Sequence, residues 1–274
     1  MKRLPLLLHT TIMLMAACIS TANAQTFSAG ANHALYSCVS GTPRCVGANS
    51  NGQLGLGNYT SHTTLVPMSG FNGITAVDAS YSHSLFLKNN GTVWAAGSNG
   101  NGQLGNGTTT GSISPVQVGG LTGIIAISAS LDFSVFLKND GTVWAVGNNL
   151  GGQLGDGTTE YKTTPVQMLG LTGITAISSG MFHSLFLKND GTVWATGGNY
   201  YGQVGNQPLY GVSTPVPIEG LSDIIAVAAG GTHSLFLKMT KRFGASGLIF
   251  TVNLVMKMWG IIIMMRFKLL DLQE

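Results

Sequence analysis

The stretch HSLFLKNDGTVWATGGNYYGQVGN, at residues 183–206, decides the fold because its key residues recur every 50 positions. The recurring residues are the tryptophans Trp94, Trp144 and Trp194, the glutamines Gln53, Gln103, Gln153 and Gln203, and the histidines His33, His83, His183 and His233. Phe133 occupies the one histidine position that is skipped. A constant interval of this length predicts an array of units that bury their apolar faces against one another. These repeat positions are therefore expected to be structural.

Each unit carries the pattern of short β-strands. SLFLK and TVWAA are apolar, β-branched and aromatic, and NDG or NNG between them supplies the residues that tight hairpin turns require. ITAIS before them and PVQV after them add two strands, the last opened by Pro115, Pro165 and Pro215 at a sheet edge. No helical periodicity occurs before residue 239. Four strands per unit predict an all-β propeller with blades of about 50 residues.

The combination of His-Ser, Asp-Gly-Thr-Val-Trp and Tyr-Gly-Gln-Leu-Gly resembles the repeat of the regulator of chromosome condensation family. The resemblance covers nearly all of residues 26–238, which hold about four units and the start of a fifth. Family members typically close a ring of seven blades, so the resemblance implies an incomplete ring of about four to five blades here. In the first unit, TPRCVGANSNGQLG places Cys45 where tryptophan is expected and is one residue shorter.

Residues 239–274 break the repeat after Lys238 and hold five of the 11 methionines. Regrouping their codons one base back permits Asn-Asp-Glu-Thr-Val-Trp and Tyr-Gly-Gln-Leu-Gly-Asn-Glu, both in register with the repeat. The segment is therefore interpreted as an out-of-frame translation of a fifth blade, from a sequencing error or a true truncating mutation. The alternative is a membrane anchor at 247–270, which Lys257 disfavours because a charge near the middle costs about 2.5–3.5 kcal/mol.

The first 24 residues have the pattern of an export signal. Lys2 and Arg3 precede an apolar run at 4–17, and small residues at 22–24 offer a cleavage site after Ala24. Lipoprotein processing at Cys18 is the alternative. The predicted organisation is a signal peptide at 1–24, propeller repeats at 25–238 and an aberrant apolar tail at 239–274. The protein is expected to be exported to the periplasm, the cell surface or the medium.

Charge and motifs exclude several function classes. Residues 25–237 carry five basic and eight acidic side chains, so the repeats are net negative although the whole chain is formally +3. No basic stripe is present to neutralise phosphates, and nucleic acid is not an expected partner. GNGQLG at 100–105 matches the letters of a dinucleotide fingerprint, but a loop follows it, so no cofactor is expected. Neither a metal-ligand cluster nor a catalytic constellation emerges, which predicts a protein that is not an enzyme.

Two features are candidates for covalent linkage or binding. Cys38 and Cys45 flank VSGTPR, a predicted hairpin, and an oxidising compartment favours a disulfide between them. The alternative is two small buried apolar residues. The variable loops fall in the same region of each unit and carry Tyr59, Tyr161 and Tyr210, which are candidate binding residues.

These observations predict a non-enzymatic exported scaffold that binds an unknown protein or cell-envelope partner through its blade loops. Contact with a membrane is expected only through the signal or through lipidation at Cys18. The resemblance implies two alternatives, guanine-nucleotide exchange as in the family's namesake and inhibition of a secreted or periplasmic enzyme. The acidic repeats and the export signal disfavour exchange at chromatin. An exported enzyme acting on cell-wall glycans is a further alternative that lacks candidate residues.

Overall fold

The computed structural model describes residues 25–38, 42–205, 210–244, 247–258 and 261–268, with side chains described within 26–37, 42–205 and 210–238. This part of the chain forms twenty β-strands and no helix. It therefore contains no helical segment with the length and apolar character needed to cross a membrane. The predicted signal peptide at 1–24 lies outside the described residues and stays a prediction.

The strands group into five sheets, named blades 1 to 5 in chain order, and each sheet uses four consecutive strands. Blade 1 comprises β1 (Gln25–Ala29), β2 (His33–Cys38), β3 (Arg44–Gly47) and β4 (His62–Pro67). Blade 2 comprises β5 (Ile74–Ala79), β6 (His83–Lys88), β7 (Val93–Gly97) and β8 (Ser112–Gln117). Blade 3 comprises β9 (Ile124–Ala129), β10 (Phe133–Lys138), β11 (Val143–Gly147) and β12 (Lys162–Gln167). Blade 4 comprises β13 (Ile174–Ser179), β14 (His183–Lys188), β15 (Val193–Gly197) and β16 (Val212–Pro217). Blade 5 comprises β17 (Ile224–Ala229), β18 (Ser234–Gly244), β19 (Gly247–Met258) and β20 (Ile261–Lys268).

The five sheets follow one another in an unclosed ring, which confirms the predicted all-β propeller with four-stranded blades. Neighbouring strands within a blade are antiparallel. The first strands of consecutive blades contact one another, and the second strand of each blade contacts the first strand of the next. The first strands therefore line the axis of the arc, and the fourth strands form its rim.

The turn after the second strand of blades 2 to 4 follows the predicted chemistry. In blade 3 the Asp140 carboxylate accepts hydrogen bonds from the backbone N–H and the hydroxyl of Thr142, at 3.0 and 2.6 Å. Gly141 follows with φ of 79°, a left-handed conformation in which a side chain is strained. The turn fixes the pairing of β10 with β11, in which Phe136 lies opposite Trp144.

The apolar core lies in the seams between blades. Four buried clusters occupy the four seams. At each seam a fully buried phenylalanine of the second strand packs against the preceding blade, and these residues are Phe86, Phe136, Phe186 and Phe236. The half-buried rings of Trp94, Trp144 and Trp194 pack against the same clusters. Lys88 and Lys188 lie over two of these rings, at 4.6 and 4.9 Å. One sheet cannot cover both of its faces, so the blades stabilise one another.

Two predicted details of the first unit are wrong. Arg44, and not Cys45, occupies the tryptophan position, because Arg44 lies opposite Tyr36 in the register that places tryptophan opposite phenylalanine in blades 2 to 4. The unit is not shorter either. The pairing of His33 with Gly47 spans the same number of residues as its counterparts in the other three blades.

The recurrent prolines lie inside the fourth strands and do not open them. Pro115, Pro165 and Pro215 are each the fourth residue of β8, β12 and β16. These strands lie at the outer edge of each sheet. Proline has no backbone N–H, and at an edge this does not leave a carbonyl of a neighbouring strand without its hydrogen bond. The ladder shifts by a bulge between Ala145 and Gly147, opposite this part of β12.

Blade 5 departs from the repeat in its second hairpin. In blades 2 to 4 the second strand ends at the lysine before the turn, whereas β18 continues to Gly244 and pairs with β19 from Gly247. Lys238 consequently lies opposite Asn253, in the middle of a longer hairpin. The segment after Lys238 thus completes the fifth sheet with a turn that the repeat does not specify. Its origin in a shifted reading frame stays a prediction.

Candidate protein-interaction surface

Histidines at the repeat position link neighbouring blades through hydrogen-bonded relays. In blade 2 His83 Nε2 lies 2.9 Å from Ser134 Oγ of blade 3. That hydroxyl donates to the backbone carbonyl of Gln103 in blade 2, at 2.8 Å. Since the serine proton goes to the carbonyl, the serine oxygen accepts from the ring, and the proton of neutral His83 lies on Nε2. The same relay runs from His33 through Ser84 to Gln53 and from His183 through Ser234 to Gln203.

Burial keeps these three relay histidines neutral. Desolvation lowers the pKa of His33 and of His183 from 6.5 to about 4, with a smaller effect of the His233 charge on His183. Desolvation, together with the charge of His33, lowers the pKa of His83 to about 3. Nδ1 of His33 and of His183 is buried without a hydrogen-bond partner among the described residues, so a second proton there would have no acceptor. The relay histidines therefore act as structural links between blades.

The seam between blades 3 and 4 lacks this relay. Phe133 is fully buried at the histidine position. Ser184 Oγ, which would receive the imidazole N–H, is buried and has no hydrogen-bond partner in the described part of the chain. Thr196 of blade 4 provides a different link, because its Oγ1 lies 3.0 Å from the Gly152 carbonyl of blade 3.

A second set of links lines the axis of the arc. One side-chain oxygen on each first strand of blades 1 to 4 accepts a backbone N–H of the next blade: Ser28 from Ala79, Asp78 from Ala129, Ser128 from Ser179 and Ser178 from Ala229. Burial raises the pKa of the Asp78 carboxyl, and its hydrogen bonds from Ser28, Ala129 and Ala79 act in the opposite direction. This position was not among the predicted ones, although its 50-residue period is visible in the sequence.

The repeat glutamines hold the long loop after each third strand. Each is buried, and its Oε1 accepts the backbone N–H two residues earlier at 2.8–2.9 Å. An asparagine four residues before each glutamine, also absent from the predictions, holds the same loop. Asn99 Oδ1 accepts the N–H of Leu104, and its Nδ2 donates to the carbonyls of Thr108 and Thr110. These buried contacts give the loops a constant frame on which exposed residues vary.

Cys45 is a buried free thiol in the core between blades 1 and 2, and burial raises its pKa to about 12. It lies opposite Leu35, three residues from Cys38 on β2. That offset is about 10 Å along a strand, whereas disulfides join Cα atoms at most about 7 Å apart. The side chain of Cys38 is outside the described residues. The predicted bridge, which would require a different strand register, stays a prediction.

Exposed aromatic side chains concentrate on one face of the arc. Because the four strands of a blade alternate in direction, the loops after its first and third strands open on the same side, the loop face. The predicted binding residues Tyr59, Tyr161 and Tyr210 all lie there, with exposed fractions of 64%, 59% and 81%. Tyr161 and Leu150 line an open concavity on blade 3. Of the three, Tyr210 belongs to a larger aromatic group.

That group lies on blade 4 and the adjoining loop of blade 3. The rings of Tyr200 and Tyr210 meet edge to face with centroids 6.2 Å apart. A Cβ built on Gly198 would lie 3.3 Å from Phe182 Cβ and 3.9 Å from Tyr200 Cδ2, so both side chains border this glycine. Blade 3 adjoins them, since Gly151 packs against the backbone of Gly198. The loop-face patch consists of six side chains exposed by 41–81%: Leu150, Met181, Phe182, Tyr200, Tyr201 and Tyr210.

Comparison among the units shows that the aromatic residues of the patch are a feature of blade 4, whereas the Met181 position also holds a large side chain in blades 2 and 3, Tyr81 and Leu131. The Phe182 position holds Asn32, Ser82, Asp132 and Thr232 in the other blades. The Tyr200 position holds Ser50, Gly100 and Leu150, and the Tyr210 position holds Thr60, Thr110 and Glu160. The buried glutamine and asparagine of the loop are kept in all four units. Large apolar residues therefore occupy positions that the buried hydrogen bonds of the loop do not require. A position-by-position comparison of the units in the sequence would have revealed them.

The patch carries no charged side chain at neutral pH. In the neighbouring loop of blade 3, Lys162 pairs with Asp156 and Glu160 at 3.4 and 3.8 Å. No group of three or more His, Cys, Asp or Glu within the described ranges is placed to hold a metal ion. GNGQLG at 100–105, which matches the letters of a dinucleotide fingerprint, lies in the loop between β7 and β8 and is followed by a strand. The loop-face patch therefore offers neutral aromatic and aliphatic contacts, beside a charged loop of blade 3.

The family follows from the repeat sequence. The Regulator of chromosome condensation (RCC1) repeat matches residues 90–137, 140–187 and 190–237, more than half of the chain. The chain belongs to the RCC1 repeat family. A second description of the same repeat matches 74–103, 124–153 and 174–203. The resemblance stated from the sequence is thus confirmed.

Solved structures of RCC1-type propellers share the fold. Human WBSCR16 is 20% identical with a TM-score of 0.73, over 89% of this chain and 63% of that one. Prp20p from Saccharomyces cerevisiae, described with its binding to Gsp1p and histones, is 18% identical with a TM-score of 0.67, over 79% of this chain and 56% of that one. This chain therefore spans less than two thirds of either structure. No curated protein sequence matches it significantly.

Proposed function

We propose that this protein is an exported, non-enzymatic propeller scaffold that binds a protein partner of the cell envelope or cell surface through its loop face. The RCC1-type fold supports a binding or regulatory scaffold in general. The loop-face patch is the observation that carries the proposal, because six large exposed side chains gather where the other blades hold mainly small or polar residues.

The composition of the patch suits protein recognition. Tyrosine provides a large, rigid and amphipathic contact at a low cost in conformational entropy, while serine, glycine and asparagine provide adaptable hydrogen bonds. Tyr200, Tyr201 and Tyr210 are embedded in such loops. Aromatic residues at the centre of an interface and a deficit of charge there are typical of protein-binding surfaces. Since the frame beneath is buried and hydrogen-bonded, the patch is presented by a preorganised surface.

The patch is tested by replacing its residues with those that other blades hold at the same positions. In the variant Phe182→Ser, Tyr200→Ser, Tyr210→Thr, the frame is retained and the aromatic surface is removed. A control, Ile125→Thr with Ile225→Thr, removes exposed apolar side chains of first strands at the opposite end of the blades, using the threonine that blades 2 and 4 hold there.

Tagged full-length protein, cross-linked in the source cells, should retain its partner in the control and lose it in the patch variant. Equal recovery of the same partner by both variants would refute the loop face as the binding site.

Export is tested separately by fractionating cells that express the full chain with a C-terminal tag. Mature protein beginning at Gln25 is expected outside the cytoplasm. A lipid-modified N-terminal cysteine at Cys18 would select the alternative route of export. Full-length protein confined to the cytoplasm, with Met1 or Lys2 at its N-terminus, would refute export.

A further inference from the structure

We propose that β20 forms an interface between two copies of this chain, in which the outer edges of the two fifth blades pair antiparallel about a two-fold axis. This surface is separate from the loop-face patch, and the inference does not depend on the function proposed for that patch. It assigns a partner to the outer edge of blade 5.

The outer edges of blades 1 to 4 carry two features that hinder pairing with a further strand. Each fourth strand contains a proline: Pro67, Pro115, Pro165 and Pro215. In these four blades the ladder between the third and fourth strands also shifts its register. Proline removes a backbone donor, and a bulge twists the edge, so both features protect a sheet from edge-to-edge association.

The outer strand of blade 5 has neither protection. Its sequence, IIIMMRFK, contains no proline and is mostly apolar. It is eight residues long, against six in the fourth strands of the other blades. It pairs with β19 at every residue from Ile261 to Lys268 without a register shift. Within the described ranges no further strand pairs with it. A long, regular and apolar edge of this kind is a template for an added strand.

The geometry of blade 5 favours an assembly that ends at two copies. The other edge strand of its sheet, β17, lies at the axis of the arc and contacts β13 of blade 4. Pairing of β20 with β20 therefore uses the unprotected edge of both copies at once. Such an interface is isologous, with the same patch on both subunits, and it closes as a dimer.

The backbone restricts the registers in which two β20 strands can pair. Alternate residues of a strand turn their N–H and C=O groups to the same side, and antiparallel partners turn theirs toward each other. Two identical edges therefore match only residues of equal parity. The longest registers that meet this condition are the first register, centred on Met264 and pairing 261–267, and the second register, centred on Met265 and pairing 262–268.

Charge in the strand is compatible with both registers. Its charged residues are Arg266 and Lys268. In the first register Arg266 lies opposite Ile262, and in the second it lies opposite Met264. Lys268 lies opposite Ile262 in the second register and outside the pairing in the first. Neither register places two cations directly opposite each other, an arrangement that would be destabilising. The strand thus complements a second copy of itself in charge as well as in backbone.

Sedimentation velocity of the full-length chain measures the association, and Met264→Lys tests the edge. The new lysine would lie opposite itself in the first register and opposite Arg266 in the second, so either pairing acquires a like-charge pair. We expect a wild-type dimer whose dissociation constant rises about tenfold or more in this variant. The control Thr214→Lys adds the same charge at an exposed residue of β16, the protected edge of blade 4, and should change the constant less than about twofold.

Cysteine cross-linking is a second measurement that does not depend on how Met264→Lys affects the folding of blade 5. Directly opposite residues of antiparallel strands have Cα atoms about 4.5–5.5 Å apart, within the range that a disulfide spans. Mild oxidation should therefore link two copies of either Met264→Cys or Met265→Cys, whichever residue lies on the two-fold axis. Thr214→Cys and the wild type, which has three cysteines of its own, provide the background.

The expected result is a dimer that Met264→Lys weakens and that one of the two cysteine variants traps. A wild-type chain that stays monomeric throughout the micromolar range would overturn the proposal. So would a dimer that neither cysteine variant links above background, or one that a folded Met264→Lys variant forms as tightly as the wild type, because another surface would then join the copies. Wild-type species larger than a dimer would refute the two-fold pairing.

Discussion

Replacing Ser134 with alanine should destabilise the protein strongly, whereas the same replacement at Ser184 should not. The two serines occupy the same repeat position, and both are fully buried. They differ in their partners. Ser134 bridges His83 and the Gln103 carbonyl, while Ser184 faces the seam in which Phe133 has replaced the histidine.

The magnitude follows from the groups that each change leaves buried. Ser134→Ala removes the partner of an imidazole N–H and of a backbone carbonyl, and each unsatisfied buried group costs about 1–3 kcal/mol. We therefore expect the free energy of unfolding to fall by about 2–6 kcal/mol. Ser184→Ala removes a buried hydroxyl that has no partner among the described residues, so stability should stay the same or rise by about 1 kcal/mol.

Urea denaturation of the full chain, followed by tryptophan fluorescence, measures both effects. Trp144 and Trp194 pack in the seams on either side of blade 3, so the signal reports on this part of the arc. The expected result is a lower midpoint for Ser134→Ala at unchanged slope and an unchanged or higher midpoint for Ser184→Ala. Equal destabilisation by the two variants would show that the relay does not determine the stability of the seams.

Three further predictions address the relays and the axis of the arc. Phe133→His should supply the missing imidazole, so that Ser184→Ala becomes destabilising by at least about 1 kcal/mol in that background; additivity in a double-mutant cycle by urea denaturation would refute the restored relay. The relay histidines have pKa values of about 3 to 4 in the folded state and 6.5 in the unfolded state. At a pH between these values the unfolded chain therefore binds more protons than the folded chain. The free energy of unfolding should then fall as pH is lowered from 6.5 towards 4, by about 1.4 kcal/mol per pH unit for each histidine, and His83→Gln should reduce the slope by about a third; an unchanged slope would contradict this. At neutral pH Asp78→Ser should retain stability within about 1 kcal/mol, since serine accepts the equivalent N–H in other blades, whereas Asp78→Ala should cost about 1–3 kcal/mol; thermal melts of the two variants should therefore differ.

The period of the sequence was sufficient to predict the architecture. Each unit repeats NDG or NNG between two apolar segments, and this local chemistry determines the hairpin in the way seen at Asp140 and Gly141. Burial of both faces of a sheet then requires neighbouring blades. The signals that define the fold are local and recur several times, so they were visible without coordinates.

Positions that depend on strand register were harder to predict. Cys45 was assigned to the tryptophan position on the assumption that the first unit is one residue shorter, but pairing across the sheet places Arg44 there, 50 residues before Trp94. The serine of the relay looked like an ordinary strand residue, because both of its partners lie in the preceding blade. Blade 5 lies where the repeat ends, so nothing in the pattern anticipated a strand that continues to Gly244.

The candidate site was only partly predictable. A search for exposed tyrosines in variable loops found Tyr210, and it also found Tyr59 and Tyr161, which lie outside the patch. Phe182 was overlooked because it belongs to a short turn after a first strand. Its proximity to Tyr200 across Gly198 is a property of the assembled blade.

The relays have a direction, and this affects how the protein is made. Each histidine and its glutamine carbonyl belong to one blade, while the serine that satisfies both belongs to the blade that follows it in the chain. During translation the histidine leaves the ribosome 51 residues, and the glutamine carbonyl 31 residues, before the serine hydroxyl that joins them. The histidine and the glutamine carbonyl of blades 1, 2 and 4 therefore obtain their shared partner only once the following blade is in place. At Phe133 the relay is missing, but the Gly152 carbonyl of blade 3 still receives its hydrogen bond from Thr196 of blade 4, so this blade too is completed by the one that follows.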